Sequence, residues 1–384
     1  MIARIGTYSN NSTNSTAHRR EPPLHIVRFL LRPSVIPAWS AAVLALLLAA
    51  FPAQALEASL RGLAIWWEVL FPALFPFFVI SELLLGFGIV HFFGKILDPF
   101  MRPLFRIPGI GGFVVTMGYA SGYPVGARLT AQLWEQKLIN RAEGERLVAF
   151  TTTSDPIFLI GAVSVGFFHS VALAPVLAAA HYGGGLIIGL LMRFHDRHAP
   201  ASSESADKGG RAGRRKKSRL AEAIHAMHTA RMMDGRSLGT LLQDAVQAAL
   251  RLMIVVGGLV VVFSVIMELL RQTGSIEVLA GAIRLLLGAV GMPPALSDAV
   301  VSGIFEVTLG ARAAGSAGGS GLMQQAAIAA FVLSWAGLSV HAQVASLLSR
   351  TDLRYKPFLL ARLLHGIIAA ALVYAFWGWL GPAA

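Results

Sequence analysis

The sequence predicts an all-α polytopic membrane protein of about seven transmembrane helices, built from two inverted repeats that each contain a re-entrant, broken-helix hairpin. Three observations predict this class. Hydrophobic residues fill 55% of the 384 positions and charged residues only 14%, with a mean hydropathy of +0.64; soluble domains usually carry about 25% charge. Two apolar stretches are interrupted by glycine, with a proline in the first. Four short segments recur in order at nearly constant spacing.

Apolar spans and basic segments alternate along the chain. Residues 1–36 are predicted to be a cytoplasmic basic tail, and residues 37–60 contain the first membrane span. That span includes Ala53-Gln54-Ala55, which also fits a signal-peptidase site. A retained signal anchor is favoured because the charged segment before the span is unusually long, and cleavage is the alternative. Further spans are predicted at 63–90, 147–168, 171–194, 245–270, 328–348 and 358–380.

The distribution of Lys and Arg predicts the orientation. Basic residues concentrate in the tail and in segments 91–106, 137–146, 195–243 and 350–356, which places these segments in the cytoplasm. The N-terminus is then cytoplasmic and, after seven spans, the C-terminus is outside. The net charge of +12 is explained by this rule, so no nucleic acid is expected as a partner. The absence of cysteine excludes disulfides and thiolate metal sites, and neither a cofactor, a metal nor an enzymatic activity is expected.

The stretch at 108–136 is the most informative. Gly118, Gly122 and Gly126 follow one another at four-residue spacing, which on a helix places them on one face and lets another backbone approach closely. Pro124 interrupts the helical hydrogen-bond ladder within the same segment. We predict a re-entrant hairpin of two half-helices that meet around residues 120–124, and an ordinary kinked helix is the alternative. A second broken stretch is predicted at 296–321.

Four sequence matches predict an internal repeat. The segment 78–84 matches 265–270, Gly126-Ala127-Arg128 matches Gly310-Ala311-Arg312, and the pairs at 149–150 and 185–188 match those at 330–331 and 366–369, with offsets of 181 to 186 residues. Each unit holds three full spans, so the second unit must insert upside down. Inverted repeats with discontinuous helices are typical of secondary transporters, whose substrate lies at the repeat interface.

Ionisable residues inside spans are functional candidates because their insertion is costly. Glu82 and Glu268 occupy matching positions in the two repeats, as do Arg128 and Arg312. A rise of about 1.5 Å per residue places Glu82 and Arg128 at similar depth. We therefore predict the ion pairs Glu82–Arg128 and Glu268–Arg312. The alternative is that both arginines extend to the membrane interface.

Polar residues near the breaks are the candidate solute ligands. The run 151–155 places hydroxyls and one carboxylate directly before Pro156, where backbone carbonyls are freed, and this composition suits a polar solute or a hard cation. The alternative is that the hydroxyls bond to their own helix. His181, His341 and His365 are interpreted as helix-packing residues. The predicted ligands are Ser121, Tyr123, Thr152, Thr153, Ser154, Asp155 and Glu306.

Several segments together carry a family resemblance. These are LFPFFVISELLLGFG within 70–88, the run that contains SGYPVGA in 108–136, ERLVAFTTTSDPIFLIGAVSVGFF at 145–168 and AHYGGGLIIGLLMRF at 180–194. They resemble the sporulation integral membrane protein YlbJ family, over about residues 60–380. At Asp155 the chain departs from the family pattern, which has Asn there.

The resemblance implies nucleoside-recognition "Gate" domains. It divides the chain into a Gate-like repeat at 61–194, a basic cytoplasmic loop at 195–243 and an inverted Gate-like repeat at 244–384. It also implies a role in spore-cortex formation, in the mother-cell or forespore membrane of a sporulating bacterium. The expected function is a secondary permease for a small polar solute, nucleoside-like or related. The alternative is a non-transporting scaffold for spore-envelope assembly. The expected partners are the lipid bilayer and the solute, with a homo-oligomer left open.

Overall fold

All regular secondary structure in the described residues is helical, as the sequence predicts. The computed structural model describes residues 35–199, 202 and 218–382. Nearly all of the predicted basic tail and the basic run at 214–217 lie outside these residues. Of the described residues, those up to Ala50 belong to one compact unit and those from Phe51 onward to a second. The candidate functional site lies wholly within the second unit.

The described residues contain sixteen helices numbered here in chain order, together with the short π-helix Met101–Phe105 that follows α3. They are α1 Ile36–Ala50, α2 Pro52–Gly86, α3 Ile89–Phe100, α4 Gly111–Ser121, α5 Val125–Glu135, α6 Arg141–Thr151, α7 Phe158–Phe167, α8 Ala174–Met192, α9 Arg219–Asp234, α10 Leu238–Gln272, α11 Ser275–Ala289, α12 Ser297–Phe305, α13 Val307–Gly315, α14 Leu322–Trp335, α15 Gly337–Leu348 and α16 Tyr355–Leu380. Helix α7 and the segment Ile65–Leu70 within α2 are π-helical.

Five stretches of the described chain are long and apolar enough to cross a membrane. They are Pro52–Gly86, Val171–Met192, Leu238–Gln272, Leu322–Leu348 and Tyr355–Leu380. The predicted span 37–56 corresponds to α1, which has only 15 residues. The predicted span 147–168 is not one helix, because it divides into α6 and α7. Pro156 lacks an N–H group and disfavours helical geometry in the residue before it, so the helix ends before this point. The total of seven spans stays a prediction.

The predicted polar loop at 195–243 is partly helical, which corrects the sequence interpretation. Its second half forms α9, which ends at Gly235 with a φ of 64°, and α10 already begins at Leu238. Glycine at such a position ends a helix without steric cost. The Ser237 hydroxyl accepts a hydrogen bond from the Thr240 N–H at 3.2 Å and caps α10. Helix α9 packs along α3, so this part of the segment belongs to the folded unit.

The two 35-residue helices α2 and α10 run antiparallel beside each other. The Trp66 indole N–H donates to the Met253 carbonyl at 2.9 Å, near the middle of the pair. Gly257 lies directly against the Trp66 ring, where a side chain would not fit. Helix α7 and the hairpin helices α4, α12 and α13 pack against this pair.

The same order of elements occurs in both halves of the second unit. A long helix, a shorter helix, a hairpin, a broken helix and a last long helix follow one another as α2–α8 and again as α10–α16, with α9 between them. Both halves contribute to the largest apolar core. This order is the one that the repeat predicts, and the inverted relation between the halves stays a prediction.

Candidate solute-binding site

The first helix break lies between α6 and α7. Asn140 and Glu143 form a reciprocal capping box that starts α6, with both hydrogen bonds at 3.0 Å. The helix ends at Thr151, and the Asp155 carboxylate begins the next one. Its Oδ1 accepts hydrogen bonds from the backbone N–H groups of Ile157 at 3.0 Å and Phe158 at 2.8 Å. The buried Asp155 therefore caps the N-terminus of α7, where backbone donors have no other partner.

The first hairpin, α4 and α5, is packed around the end of α6. A methyl group at either Gly118 or Gly126 would overlap the Thr151 carbonyl, so the two hairpin arms enclose this carbonyl group. Between them, Gly122 has a φ of 72°, and a Cβ there would lie 2.7 Å from Asp155 Oδ2. The hairpin breaks between Ser121 and Val125, the place that the glycines and Pro124 predict.

The second hairpin, α12 and α13, breaks at Glu306. The residue is extended (φ −147°, ψ 130°), and its Oε2 accepts a hydrogen bond from the Leu309 N–H at 2.8 Å. Glu306 therefore caps α13 as Asp155 caps α7. Gly337, which begins α15 with a φ of 75°, lies against the Glu306 backbone: a Cβ there would be 3.0 Å from Glu306 Cα.

The two buried carboxylates face one cavity of about 390 Å³. Asp155 and Glu306 belong to different halves, and the Ser121 hydroxyl at the tip of the first hairpin is also part of the wall. Ser121 Oγ has no hydrogen-bond partner among the described residues. The exposed Arg251 on α10 lies at the cavity mouth. The other lining residues are mainly apolar, from α2, α10 and the breaks: Leu74, Phe78, Tyr123, Pro124, Phe158, Leu252, Val255, Val256, Leu259, Val307, Thr308, Ser339, Val340 and Gln343.

The cavity contains four of the seven predicted solute ligands, namely Ser121, Tyr123, Asp155 and Glu306. Thr152, Thr153 and Ser154 are buried and are not among the residues that line the cavity, so their role as solute ligands stays a prediction. The Thr152 hydroxyl donates to the Val148 carbonyl of its own helix. Thr153 and Ser154 both bond to His181. Thr153 Oγ1 also bonds to the Ser154 carbonyl, and Ser154 Oγ to the Asp155 carbonyl, both at 3.3 Å. These contacts satisfy the polar groups at the break.

Three buried side chains next to the site were not among the predicted ligands. The fully buried Arg362 donates to the carbonyls of Ala149 and Thr152, which satisfies the end of α6. His181 and His365 stack with ring centroids 5.1 Å apart. Two signals were present in the sequence: Arg362 is charged within an apolar span, and the histidines are 184 residues apart, in line with the repeat spacing.

The predicted pairs Glu82–Arg128 and Glu268–Arg312 are not present among the described residues. Glu268 bonds to Arg61 instead, with Oε2 2.7 Å from Nη2. Arg128 is exposed on α5, and Glu82 lines a separate cavity together with Arg236. An estimate of depth is not enough to predict an ion pair, because depth does not specify which helix lies opposite a side chain.

A second polar cluster joins the two halves. The buried Glu145 carboxylate accepts hydrogen bonds from the Arg354 guanidinium, at 2.8 Å to each oxygen, and lies 2.6 Å from His195 Nε2. Burial raises the pKa of Glu145, but the hydrogen bonds from Arg354 and His195 outweigh this effect and hold the pKa below its usual range. Across the described ranges, no group of three or more His, Asp or Glu is placed to hold a metal ion.

Comparisons with known proteins agree with this architecture. The chain is 47% identical over 330 residues to the sporulation integral membrane protein YlbJ of Bacillus subtilis (strain 168), which covers 85% of this chain and 78% of that protein. The chain belongs to the YlbJ family of integral membrane proteins. The predicted resemblance is thereby confirmed. Residues 67–184 also match the Gate family, described as nucleoside recognition.

The fold is similar to that of the transporter CNTnw. The structure of CNTnw in an inward-facing substrate-bound state matches with a TM-score of 0.54 over 92% of this chain and 88% of that chain, at 14% identity. A CNTnw variant in an outward-facing state matches with a TM-score of 0.49, over 90% and 87% of the two chains at 13% identity. At these identities, the first likeness shows a shared transporter-like fold and no more.

Proposed function

We propose that this protein is a secondary permease for a small polar solute, nucleoside-like or related, which it moves by alternating access. The observation that carries the proposal is the position of Asp155 and Glu306. Two buried carboxylates, one from each half, lie at helix breaks and face a single cavity of about 390 Å³. Binding sites at discontinuous helices between two repeats are typical of secondary transporters.

The chemistry of the cavity favours a solute with one polar and one apolar side. Asp155 Oδ1 accepts both backbone hydrogen bonds of its cap, which leaves Oδ2 toward Gly122 and the cavity. Carboxylate oxygens and the Ser121 hydroxyl would accept hydrogen bonds from hydroxyl or amino groups of a solute. Phe78 and Phe158 supply apolar walls for a ring. A few polar groups in a mostly apolar cavity are the usual composition of a small-molecule site.

Uptake of radiolabelled uridine into proteoliposomes tests the proposal, with imposed sodium or proton gradients. We expect saturable uptake by the native protein and at least about tenfold slower uptake by Asp155→Asn and Glu306→Gln, because each loses one charge-assisted hydrogen bond. Glu68→Gln is the matched control, since Glu68 is an exposed carboxylate on α2 outside the cavity. Uptake equal to that of empty liposomes under every gradient would contradict a nucleoside permease.

The family membership supports a role in sporulation, and we propose that the permease serves spore-cortex formation. A non-transporting scaffold for spore-envelope assembly is the competing function, with the basic loop as its docking segment. Deletion of residues 203–217 separates the two functions, because it removes the basic run and leaves α9 intact. A permease should retain spore heat resistance after this deletion, whereas a scaffold that uses the loop should lose it.

We also propose that the N-terminus is cytoplasmic and the C-terminus outside. The chain has no cysteine, so single cysteines report accessibility directly. A cysteine at Ser349 should react with an impermeant maleimide only from the cytoplasmic face, and one at Ser275 only from the outside. Reaction of both positions from one face would contradict this topology.

A further inference from the structure

His181 connects the two helix breaks through opposite edges of one ring. It lies in the middle of α8 and is fully buried. On one edge, Nε2 is 3.1 Å from the backbone nitrogen of Ser154 and 2.7 Å from Thr153 Oγ1. On the other edge, Nδ1 is 2.8 Å from Ser334 Oγ, near the end of α14. One side chain therefore contacts the breaks of both halves.

The hydrogen bonds fix the protonation of the ring. A backbone N–H group can only donate, so Nε2 must accept from Ser154 and carries no proton. The neutral ring then carries its proton on Nδ1 and donates it to Ser334 Oγ. An imidazole ring is rigid, so the two contacts are held at a constant separation. Any protonation of Nε2 would break the bond to Ser154.

Each of these contacts is next to one of the cavity carboxylates. Ser154 directly precedes Asp155 in the chain. Ser334 lies three residues before Gly337, whose backbone is in contact with Glu306. We propose that His181 is a positioning residue that sets the separation of Asp155 and Glu306 across the cavity. Its importance for transport rests on the proposed permease function, whereas the positioning itself does not.

The neighbours of His181 hold the ring in place. His365 Nε2 donates to the His181 carbonyl at 2.7 Å, and the two rings are nearly parallel, with an interplanar angle of 20°. Gly184 makes room for this stacking, because a Cβ there would lie 2.9 Å from the His365 ring. Arg362, one turn before His365, holds the carbonyls at the end of α6. Helices α8 and α16 thus form the support to which both breaks are attached.

Spin labels on the two halves measure the separation directly. Cysteines at Ser121 and Gln343, which line the cavity from opposite halves, are introduced into the cysteine-free chain and labelled. Dipolar broadening of the spectrum then reports the distance distribution in detergent-purified full-length protein. We expect a narrow distribution with His181 present and a broad one in His181→Ala. In His181→Gln only the bond to Ser154 is retained and in His181→Asn only the bond to Ser334, so both variants should be intermediate.

Two further variants make the result decisive. Ser334→Ala removes the second contact alone and should also broaden the distribution. Thr130→Val is the matched control, since Thr130 is equally buried but bonds only to the Gly126 carbonyl of its own helix, at 2.7 Å. An unchanged distribution in folded His181→Ala overturns the proposal. Where that variant does not fold, an unchanged distribution in Ser334→Ala overturns it.

Uridine uptake links the positioning to transport. We expect the concentration of uridine for half-maximal uptake to rise about tenfold in His181→Asn, with a smaller change in maximal rate per folded protein. A role limited to stability would lower the amount of folded protein and leave that concentration unchanged. If the spectra broaden but no form of the protein transports uridine, the proposed function fails and the positioning role stands.

Discussion

The two halves of the molecule contain the same elements but place their carboxylate differently. In the first half, Asp155 lies at the break of the broken helix α6–α7, and Gly122 lies at the tip of the hairpin. In the second half, Glu306 lies at the tip of the hairpin, and Gly337 lies at the break of the broken helix α14–α15. Each half therefore combines one carboxylate with one left-handed glycine, at exchanged positions.

This difference shows which feature the architecture requires. Both carboxylates accept backbone hydrogen bonds at the N-terminus of a half-helix. Each carboxylate residue lies against the glycine at the other break of its own half. A Cβ at Gly122 would be 2.7 Å from an Asp155 oxygen, and one at Gly337 would be 3.0 Å from Glu306 Cα. A helix end inside the membrane must satisfy its donors within the protein. The carboxylate and the adjacent glycine meet this requirement together, whichever element carries each one.

Alanine at the two glycines should have the largest effect on stability. Gly337→Ala should lower the free energy of unfolding by about 3 kcal/mol, since alanine is strained at positive φ and its Cβ would meet backbone atoms. Gly122→Ala should cost about 2 kcal/mol, since its Cβ would lie 2.7 Å from Asp155 Oδ2 and 3.1 Å from the Asp155 backbone nitrogen. Reversible unfolding in mixed micelles, followed by tryptophan fluorescence, measures both values.

Two other glycines are matched controls for this experiment. Gly319 has the same positive φ of 75° but nothing within 4 Å of a Cβ, so Gly319→Ala isolates the backbone strain. Gly258 is helical with equally open space, so Gly258→Ala should be neutral or stabilising by about 0.5–1 kcal/mol. Equal losses for Gly337→Ala and Gly319→Ala would show that the close approach to Glu306 contributes nothing.

The two polar contacts between the halves, Glu145–Arg354 and Glu268–Arg61, should contribute differently to stability. Glu145→Gln should lower the free energy of unfolding by about 2 kcal/mol, because the buried carboxylate loses charge-assisted hydrogen bonds. The pKa of Glu145 is lowered in the folded protein, so its contribution is present above about pH 4.5 and is lost as the pH falls through the folded pKa. The native protein should lose stability in this acid range more steeply than Glu145→Gln, in the same unfolding assay; parallel profiles would contradict the assignment.

Removal of the caps should have a smaller effect that is similar in both halves. Asp155→Ala and Glu306→Ala should each lower the free energy of unfolding by about 1–2 kcal/mol, the usual cost of a lost N-terminal cap. Asp155→Asn and Glu306→Gln keep an acceptor oxygen and should lose less than half as much. Guanidinium or detergent unfolding of the four variants tests this ranking. A large loss in the amide variants would mean that charge, rather than capping, stabilises the breaks.

The smallest effect is expected at the exposed pair between the halves. Arg61 is 54% exposed beside Glu268, and such pairs contribute about 0–1 kcal/mol. Glu268→Gln should therefore change the unfolding free energy by less than Glu145→Gln does, and added salt should reduce the difference further. A loss as large as that of Glu145→Gln would show that the Arg61 contact is shielded from solvent.

Local sequence features predicted the elements and one of the two hairpin tips closely. Apolar runs predicted the long helices, because a helix that crosses lipid needs about 20 consecutive, mainly apolar residues. Gly122 and Pro124 predicted the break of the first hairpin, because these residues act on their own backbone. The same reasoning missed the division of 147–168 into two helices, although Pro156 was the signal for it.

Contacts between distant segments could not be predicted from local features. Glu82 and Arg128 do not form the predicted pair, and Glu268 instead bonds to Arg61, which is 207 residues away. Thr153 and Ser154 face His181 rather than the cavity. In each case the residue type was read from the sequence, but the helix lying opposite was unknown.

The sequence by itself determined that this chain is a helical membrane protein with broken helices, because hydrophobicity, glycine and proline act locally. The tertiary structure alone decided that Asp155 and Glu306 face one cavity, and that His181 and Arg362 support the breaks from behind. These arrangements depend on contacts between residues 153 to 210 positions apart in the chain. A side chain's role in a helix bundle is set by its rotational position against a neighbouring helix, which no local pattern specifies.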